Sequence, residues 1–311
     1  MQSATLSIII LNYNTKDITL DAIGSVEKNY LKEVASGEYE MIVTDNASTD
    51  GSFAAFREYK KTSKIKTFHV VDNGGNIGFS AGNNKGVPYA TGKFVLFLNP
   101  DTIVYPKTLT RMIHFMEKHP HVGAASCKLI NKDGELDFNC HRGFPTPWNS
   151  FCYFSGLGRL FPHSKLFAGY TQGWKDLRTT HEVDAVEGAF MMMPYEVGKK
   201  VGWWDEDYFF YGEDLQFSYN IKKLGYKIYY LGDVSIMHIG GAASGIKKKT
   251  QNITTANVET KRMLQRARFD AMKIFYKKNY KKTYPAWLQW LIFKGVDMLR
   301  DRALSRLTVK Q

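Results

Sequence analysis

Apolar runs of strand length recur along the first hundred residues: LSIIIL at 6–11, YEMIVT at 39–44, IKTFHVV at 65–71 and KFVLFL at 93–98. Near-continuous runs of this kind, rich in β-branched and aromatic side chains, mark strands buried on both faces. Between them apolar positions return at helical spacing, from Thr15 to about Tyr30, after the cap-forming Ser48-Thr49-Asp50, and from near Ser80. Strand–helix alternation predicts an α/β fold with a mostly parallel central sheet flanked by helices. Residues 122–180 are less regular and rich in Gly, Pro and aromatics, which reads as loops and short strands walling a cleft. EVDAVEGAFMMMP at 182–194 returns to strand character, a helix is expected over 213–224 with Gly225 as its stop, and KIYYL and VSIMH follow as two strands. From Thr255 onward the pattern is helical.

Polar clusters stand where the strands stop. LNYNT follows the first, TDNASTDGS the second, DNGGNIGFSAGNN the third and NPDT the fourth. In a parallel sheet these ends share one edge, and the crevice outside that edge is where ligands bind. Pro100 cannot continue a central strand, so FVLFLNPDTIV places the carboxylate of Asp101 where a buried strand ends. Taken singly, Asp45-Asn46 with Ser48 is a turn and cap, Gly74, Gly75 and Gly78 are turn glycines, and Asn83-Asn84 is a solvated helix face. At one sheet edge together, they supply small residues and N–H groups to an anion. A dinucleotide-binding oxidoreductase is a poor fit, because NYNTKD after the first strand holds no glycine and GGNIGFSAG follows the third strand in the wrong phase.

Two later segments carry chemistry. Glu213-Asp214 opens the expected helix, where the dipole favours carboxylates, beside Trp203, Trp204, Tyr208, Phe209, Phe210 and Tyr211. Apolar walls raise a carboxyl pKa and suit it to general-base work. His238 ends a strand with Gly240-Gly241 behind it, a structural histidine or a nitrogen ligand for a divalent metal.

Charge changes the picture at one end only. The chain of 311 residues carries a net +12, yet residues 247–311 hold 17 Lys and Arg against 4 Asp and Glu, and residues 1–246 hold 25 against 26. The body is neutral and the basic extension asks for its own electrostatic partner, so a nucleic-acid binder is not expected. Cys127, Cys140 and Cys152 offer neither C-x-x-C spacing nor an even count. The N-terminus lacks the charged start of a secretory signal, and no apolar run approaches the ~20 residues of a membrane span. A reducing, cytoplasmic setting is expected.

DNASTDGS, NIGFSAGNN, LNPDT, EGAFMMMP, FFYGED and MHIGG, in this order over residues 5–245, resemble glycosyltransferase family 2 with the GT-A fold, in its bacterial rhamnosyltransferase-like branch. The resemblance implies a GT-A domain over 1–250, with a nucleotide-binding half (1–120) and an acceptor-binding half (121–250), followed by a basic helical extension over 251–311. It implies that Asp45 contacts the donor nucleoside with Tyr13 and Asn46 nearby, and that Gly78 and Asn83 line the nucleotide and diphosphate. Asp101 would hold Mg²⁺ or Mn²⁺ as the final acid of a D-x-D motif, with His238 joining it. Asp214 would be the catalytic base, with Glu213 beside it on the acceptor side. Asn99 stands where many members carry the first Asp of D-x-D; it can take a ribose hydroxyl but adds no charge, so a weaker metal site is expected. Trp203-Trp204 replaces a Gly-Phe pattern and is expected to reshape the acceptor cleft.

The expected activity is a metal-dependent inverting transfer of a sugar, foremost rhamnose from dTDP-rhamnose, to a hydroxyl of a cell-surface polysaccharide or lipid-linked glycan. The same fold with a UDP-hexose donor, and a non-catalytic carbohydrate- or nucleotide-binding scaffold, are the rivals. In the extension, Leu264, Ala267, Ala271, Ile274 and Phe275 make one apolar stripe, and Trp287, Leu288, Leu291, Ile292 and Met298 another. Such helices either pack on the catalytic domain or on a second copy, or lie on the cytoplasmic face of a membrane through residues 255–311.

Overall fold

The computed structural model describes residues 4–137, 140–241 and 258–308. The expected domain boundary at residue 250 and the expected start of the tail at Thr255 lie outside them.

The four predicted strands form as β1 (Ala4–Asn12), β2 (Tyr39–Asp45), β3 (Phe68–Asp72) and β4 (Gly92–Leu98), paired in parallel in the order β3-β2-β1-β4. Burial explains their composition: every residue of β2 is buried, and so are the last seven of β1. The helices between are α1 (Lys16–Asn29), α2 (Leu31–Ser36), α3 (Ser52–Thr62) and the short α4 (Phe79–Asn84). In register, Asn12 stands beside Asp45 and Asp45 beside Asp72, so the polar strand ends do share one edge.

Beyond β4 the sheet turns mixed. After β5 (Thr102–Val104) and α5 (Thr108–Lys118) comes β6 (Val122–Ile130), a nine-residue strand in a stretch whose sequence reads as loops. Then follow α6 (Pro147–Ser155), α7 (Leu157–Leu160), β7 (His181–Val183), β8 (Phe190–Pro194), α8 (Tyr195–Val201), α9 (Glu213–Lys223) and β9 (Lys227–His238). β8 runs antiparallel between β4 and β6, β6 is parallel to β9, and β5 and β7 pair antiparallel with β9. The expected single strand over 182–194 is therefore two, β7 and β8, on different neighbours. KIYYL and VSIMH join into one strand, with the break expected between them absorbed as a register shift after Cys127 and Leu231. Gly232 sits in that shift because a Cβ there would come within 2.6 Å of the Arg178 carbonyl carbon.

The basic extension forms α10 (Val258–Asn279) and α11 (Ala286–Thr308). α10 buries Ala271, Phe275 and Tyr276 in a satellite core with Tyr208 and Leu215, and Lys278 bonds Asp205 and Asp207 at 2.6 Å each. Packing on the α/β body is thus what α10 does. The stripe expected on α11 divides: Ile292 packs toward that core, while Trp287 is 65% and Met298 59% exposed. Among the described residues no helix is long and apolar enough to cross a membrane.

Candidate active site

The sheet edge opens into one cleft of about 1340 Å³, lined by Tyr13, Asn46, Asn76, Gly78, Asn99 and Asp101 from the strand ends, and by Glu187, Glu213, Asp214 and His238 from the second half. Helices α6, α10 and α11 close its far wall with Phe151, Phe154, Leu288 and Leu291. The parallel half thus supplies amides and small residues, the mixed half supplies charge, and the extension supplies apolar surface.

At the first edge, Asp45 is buried and faces inward. It accepts from Asn12 Nδ2 at 2.6 Å, Ser48 Oγ at 2.7 Å and Ser48 N–H at 2.9 Å. Asn12 is locked in turn, its Oδ1 accepting from Thr15 and Thr19. Asn46 donates to Gly78 O at 3.1 Å and accepts from Asn73 at 2.8 Å, tying the second loop to the third. Gly78 has φ +88, and a Cβ would lie 2.6 Å from the Phe209 carbonyl oxygen, so only glycine fits. Asn83 Nδ2 donates back to Phe79 O of its own helix at 3.0 Å. Asp45 and Asn83 are therefore not among the residues lining the cleft, whereas Tyr13, Asn46, Gly78 and Asn99 are.

At the centre, His238 is 3% exposed, its Nε2 lies 3.4 Å from Asp101 Oδ1, and its Nδ1 has no hydrogen-bond partner. Asp137 and Glu187, which the motif reading does not single out, place ligand atoms within 4.8 Å of one another and of His238. Glu187 Oε2 is enclosed without a partner. Burial alone would strip the His238 proton, but Asp101, then Glu187 and Asp137, outweigh it and lift the imidazole to about 9. Oxygen donors with one nitrogen, two enclosed atoms lacking partners and a field that favours positive charge fit a divalent cation. Asp137 and Glu187 bring two carboxylates to the cluster, beside the neutral Asn99 that also lines the cleft.

At the second edge, Gly212 with φ +83 caps α9 and presents Glu213 and Asp214 in its first turn. Asp214 Oδ2 accepts from Arg142 and, at 3.3 Å, from Gly188 N–H, and Oδ1 accepts from its neighbour Leu215 N–H at 2.7 Å. Arg142 comes from the irregular middle and offered no motif to find it by. Glu213 Oε2 is enclosed and unpartnered, and burial, then the Asp214 charge, raises this carboxyl to about 8. Of the expected aromatic surround, Phe209, Phe210 and Tyr211 line the cleft. Trp204 does not: it stacks on Phe217 at 4.8 Å and meets Phe97 edge-on at 5.0 Å, so the Trp pair fills core instead of reshaping the cleft.

Residues 7–174, more than half of the chain, match the family model described as glycosyl transferase family 2. The chain belongs to glycosyl transferase family 2. It is similar to the low-salt glycan biosynthesis hexosyltransferase Agl10 of Haloferax volcanii, 27% identical over 222 residues that cover 70% of this chain and 62% of Agl10. The chain therefore spans less than two thirds of that relative. Among solved structures, a mannosyltransferase from Pyrobaculum calidifontis in complex with GDP-Man and Mn²⁺ superposes with TM-score 0.59 at 16% identity, over 98% of this chain and 73% of its own. GalNAc-T7 with UDP, GalNAc and Mn²⁺ gives TM-score 0.59 at 15% identity, over 92% and 53%. These likenesses show the GT-A fold.

Proposed function

We propose that this family 2 member is an inverting glycosyltransferase that moves a sugar, foremost rhamnose from dTDP-rhamnose, to a hydroxyl of a cell-surface or lipid-linked glycan. One observation carries the reading: a single cleft joins the strand-end amides, the carboxylate–histidine cluster and the Glu213–Asp214 pair. Tyr13, Asn46, Gly78 and Asn99 would hold the nucleotide, and Asp45 would position the loop that carries Asn46. Asp101 and His238 would hold Mg²⁺ or Mn²⁺, which when bound neutralises the leaving diphosphate as a Lewis acid. Residues 1–120 act as the nucleotide half and 121–250 as the acceptor half.

Asp214 would take the acceptor proton, with the Arg142 countercharge holding its carboxylate in place. Glu213, still protonated at neutral pH, keeps a second negative charge out of the same pocket. Base and departing diphosphate on opposite faces of the sugar give one in-line displacement with inversion and no covalent sugar–enzyme stage. The apolar far wall and the basic extension suit an acceptor held at the cytoplasmic face of a membrane.

Donor hydrolysis without acceptor tests this reading. dTDP-rhamnose, UDP-glucose and UDP-galactose are compared with Mn²⁺, with Asp101→Ala as control. Slow dTDP release lost in the variant is expected; turnover of a UDP-hexose instead would move the donor, and no donor binding at all would favour the non-catalytic scaffold.

A further inference from the structure

We propose that Glu187, with Asp137 beside it, is a ligand of the metal centre and supplies the carboxylate that Asn99 withholds from the D-x-D position. The proposal rests on the metal-dependent reading above. β4 and β8 pair antiparallel with Leu98 opposite Phe190, and Asn99 N–H then donates to Ala189 O at 2.9 Å. Glu187 lies two residues before Ala189, and both it and Asp101 line the cleft. β5 pairs Thr102 with His238, and Ile239 N–H donates to Asp101 O at 3.0 Å, so the histidine reaches the same point from the other side. Asp137 arrives beside β6, its N–H donating to Leu129 O at 2.9 Å. Asp137, Glu187 and His238 thus bring ligand atoms within 4.8 Å of one another, with Asp101 at Nε2 of the histidine.

Two enclosed groups there suit a bound cation. His238, 3% exposed, leaves Nδ1 without a partner, and Glu187 leaves Oε2 enclosed and unpartnered. An enclosed carboxylate oxygen with no donor is costly unless a cation or proton completes it. Arg142 does not reach this oxygen with a hydrogen bond, being turned to Asp214. A site with Asp101, Asp137, Glu187 and His238 carries three carboxylates, enough to bind a hard divalent ion without a charged residue at 99.

Mn²⁺ uptake, followed by loss of the free-ion electron paramagnetic resonance signal with and without dTDP, tests this. Wild type, Glu187→Gln and Asn99→Asp/Glu187→Gln are compared, with thermal melting of each metal-free protein. Glu187→Gln is expected to bind Mn²⁺ about tenfold more weakly or worse. It should also melt at or above wild type without metal, since an enclosed carboxylate beside two others has been neutralised. The double variant should regain affinity, because the carboxylate count is restored on the opposite strand. Equal Mn²⁺ binding by wild type and Glu187→Gln overturns the inference while the metal-dependent reading stands. A metal-free Glu187→Gln that melts well below wild type overturns it too, making Glu187 a structural residue. Failure of the double variant to recover overturns the exchange with position 99. If wild type takes up no Mn²⁺ even with dTDP, the metal-dependent reading itself falls, and this inference with it.

Discussion

Glu213 and Asp214 are neighbours of the same chemical type, and their surroundings drive them apart. Asp214 meets a guanidinium and two backbone N–H groups, whereas Glu213 turns an oxygen into a dry enclosure and is pushed up to about 8 by burial and by its neighbour's charge. Paired carboxyls with divergent environments are how sites divide acid and base roles. The consequence for stability has a definite sign. Between the ordinary glutamate value near 4.5 and about 8, the folded chain keeps a proton that the unfolded chain has lost, so stability falls as pH rises through that window. Glu213→Gln removes this dependence and is expected to gain on the order of 2 kcal/mol over wild type at pH 8, with little change at pH 4.5. Melting curves at both pH values check it; parallel profiles would mean that Glu213 ionises normally. At this scale the sequence announced Asp101, His238 and Asp214, because each sits where a strand or helix begins or ends. Arg142 and Asp137 stayed hidden, since they enter through pairings with Ala185 and Leu129 that no local period encodes, and Glu187 stood inside EGAFMMMP without a role. Asp45 and Asn83 were found by motif, but their side chains point where local hydrogen bonds send them.

Elements were legible in proportion to how locally they are specified. The parallel half was readable from runs of buried residues, while β6 escaped because Gly123, Ala124, Ala125 and Ser126 carry a weak apolar signal and are buried by neighbours from elsewhere. β9 read as two strands because its bulge interrupts the pattern without ending the pairing. The loop between β3 and α4 illustrates the opposite case, a small sequence signal with a large structural demand. Gly78 adopts a left-handed φ against the Phe209 carbonyl, and Phe79 N–H donates to that same oxygen at 2.7 Å. This contact joins the amide edge to the loop leading into α9. Gly78→Ala is expected to cost about 1–3 kcal/mol of stability and to weaken nucleotide binding, through strain and through displacement of the Phe209 loop. Denaturant unfolding and dTDP titration check the two effects together; loss of neither would mean the loop relaxes freely around a Cβ.

At the scale of the whole molecule, charge and apolar surface coincide on the extension. Residues 258–308 carry 13 Lys and Arg against 4 Asp and Glu. α11 leaves Trp287 and Trp290 65% and 60% exposed, next to Leu291, which lines the cleft. Across the cleft, α6 exposes Trp148, Phe151 and Phe154. A basic helix with exposed Trp and Leu binds in the headgroup plane of an anionic bilayer, and here Leu291, Phe151 and Phe154 also line the cleft. Such seating would bring the sugar of a membrane-anchored glycan to Asp214 without a spanning helix. Wild type is expected to sediment with vesicles of phosphatidylcholine and phosphatidylglycerol far more than with phosphatidylcholine alone, and to be released by raised salt. Trp287→Glu/Trp290→Glu should bind the anionic vesicles roughly tenfold more weakly, since two interfacial anchors become two like charges facing the lipid. Acceptor-independent donor hydrolysis should be unchanged, because neither tryptophan lines the cleft. Equal sedimentation of both proteins would leave α11 as a wall of the cleft only, and would direct the search for the acceptor toward free polysaccharide.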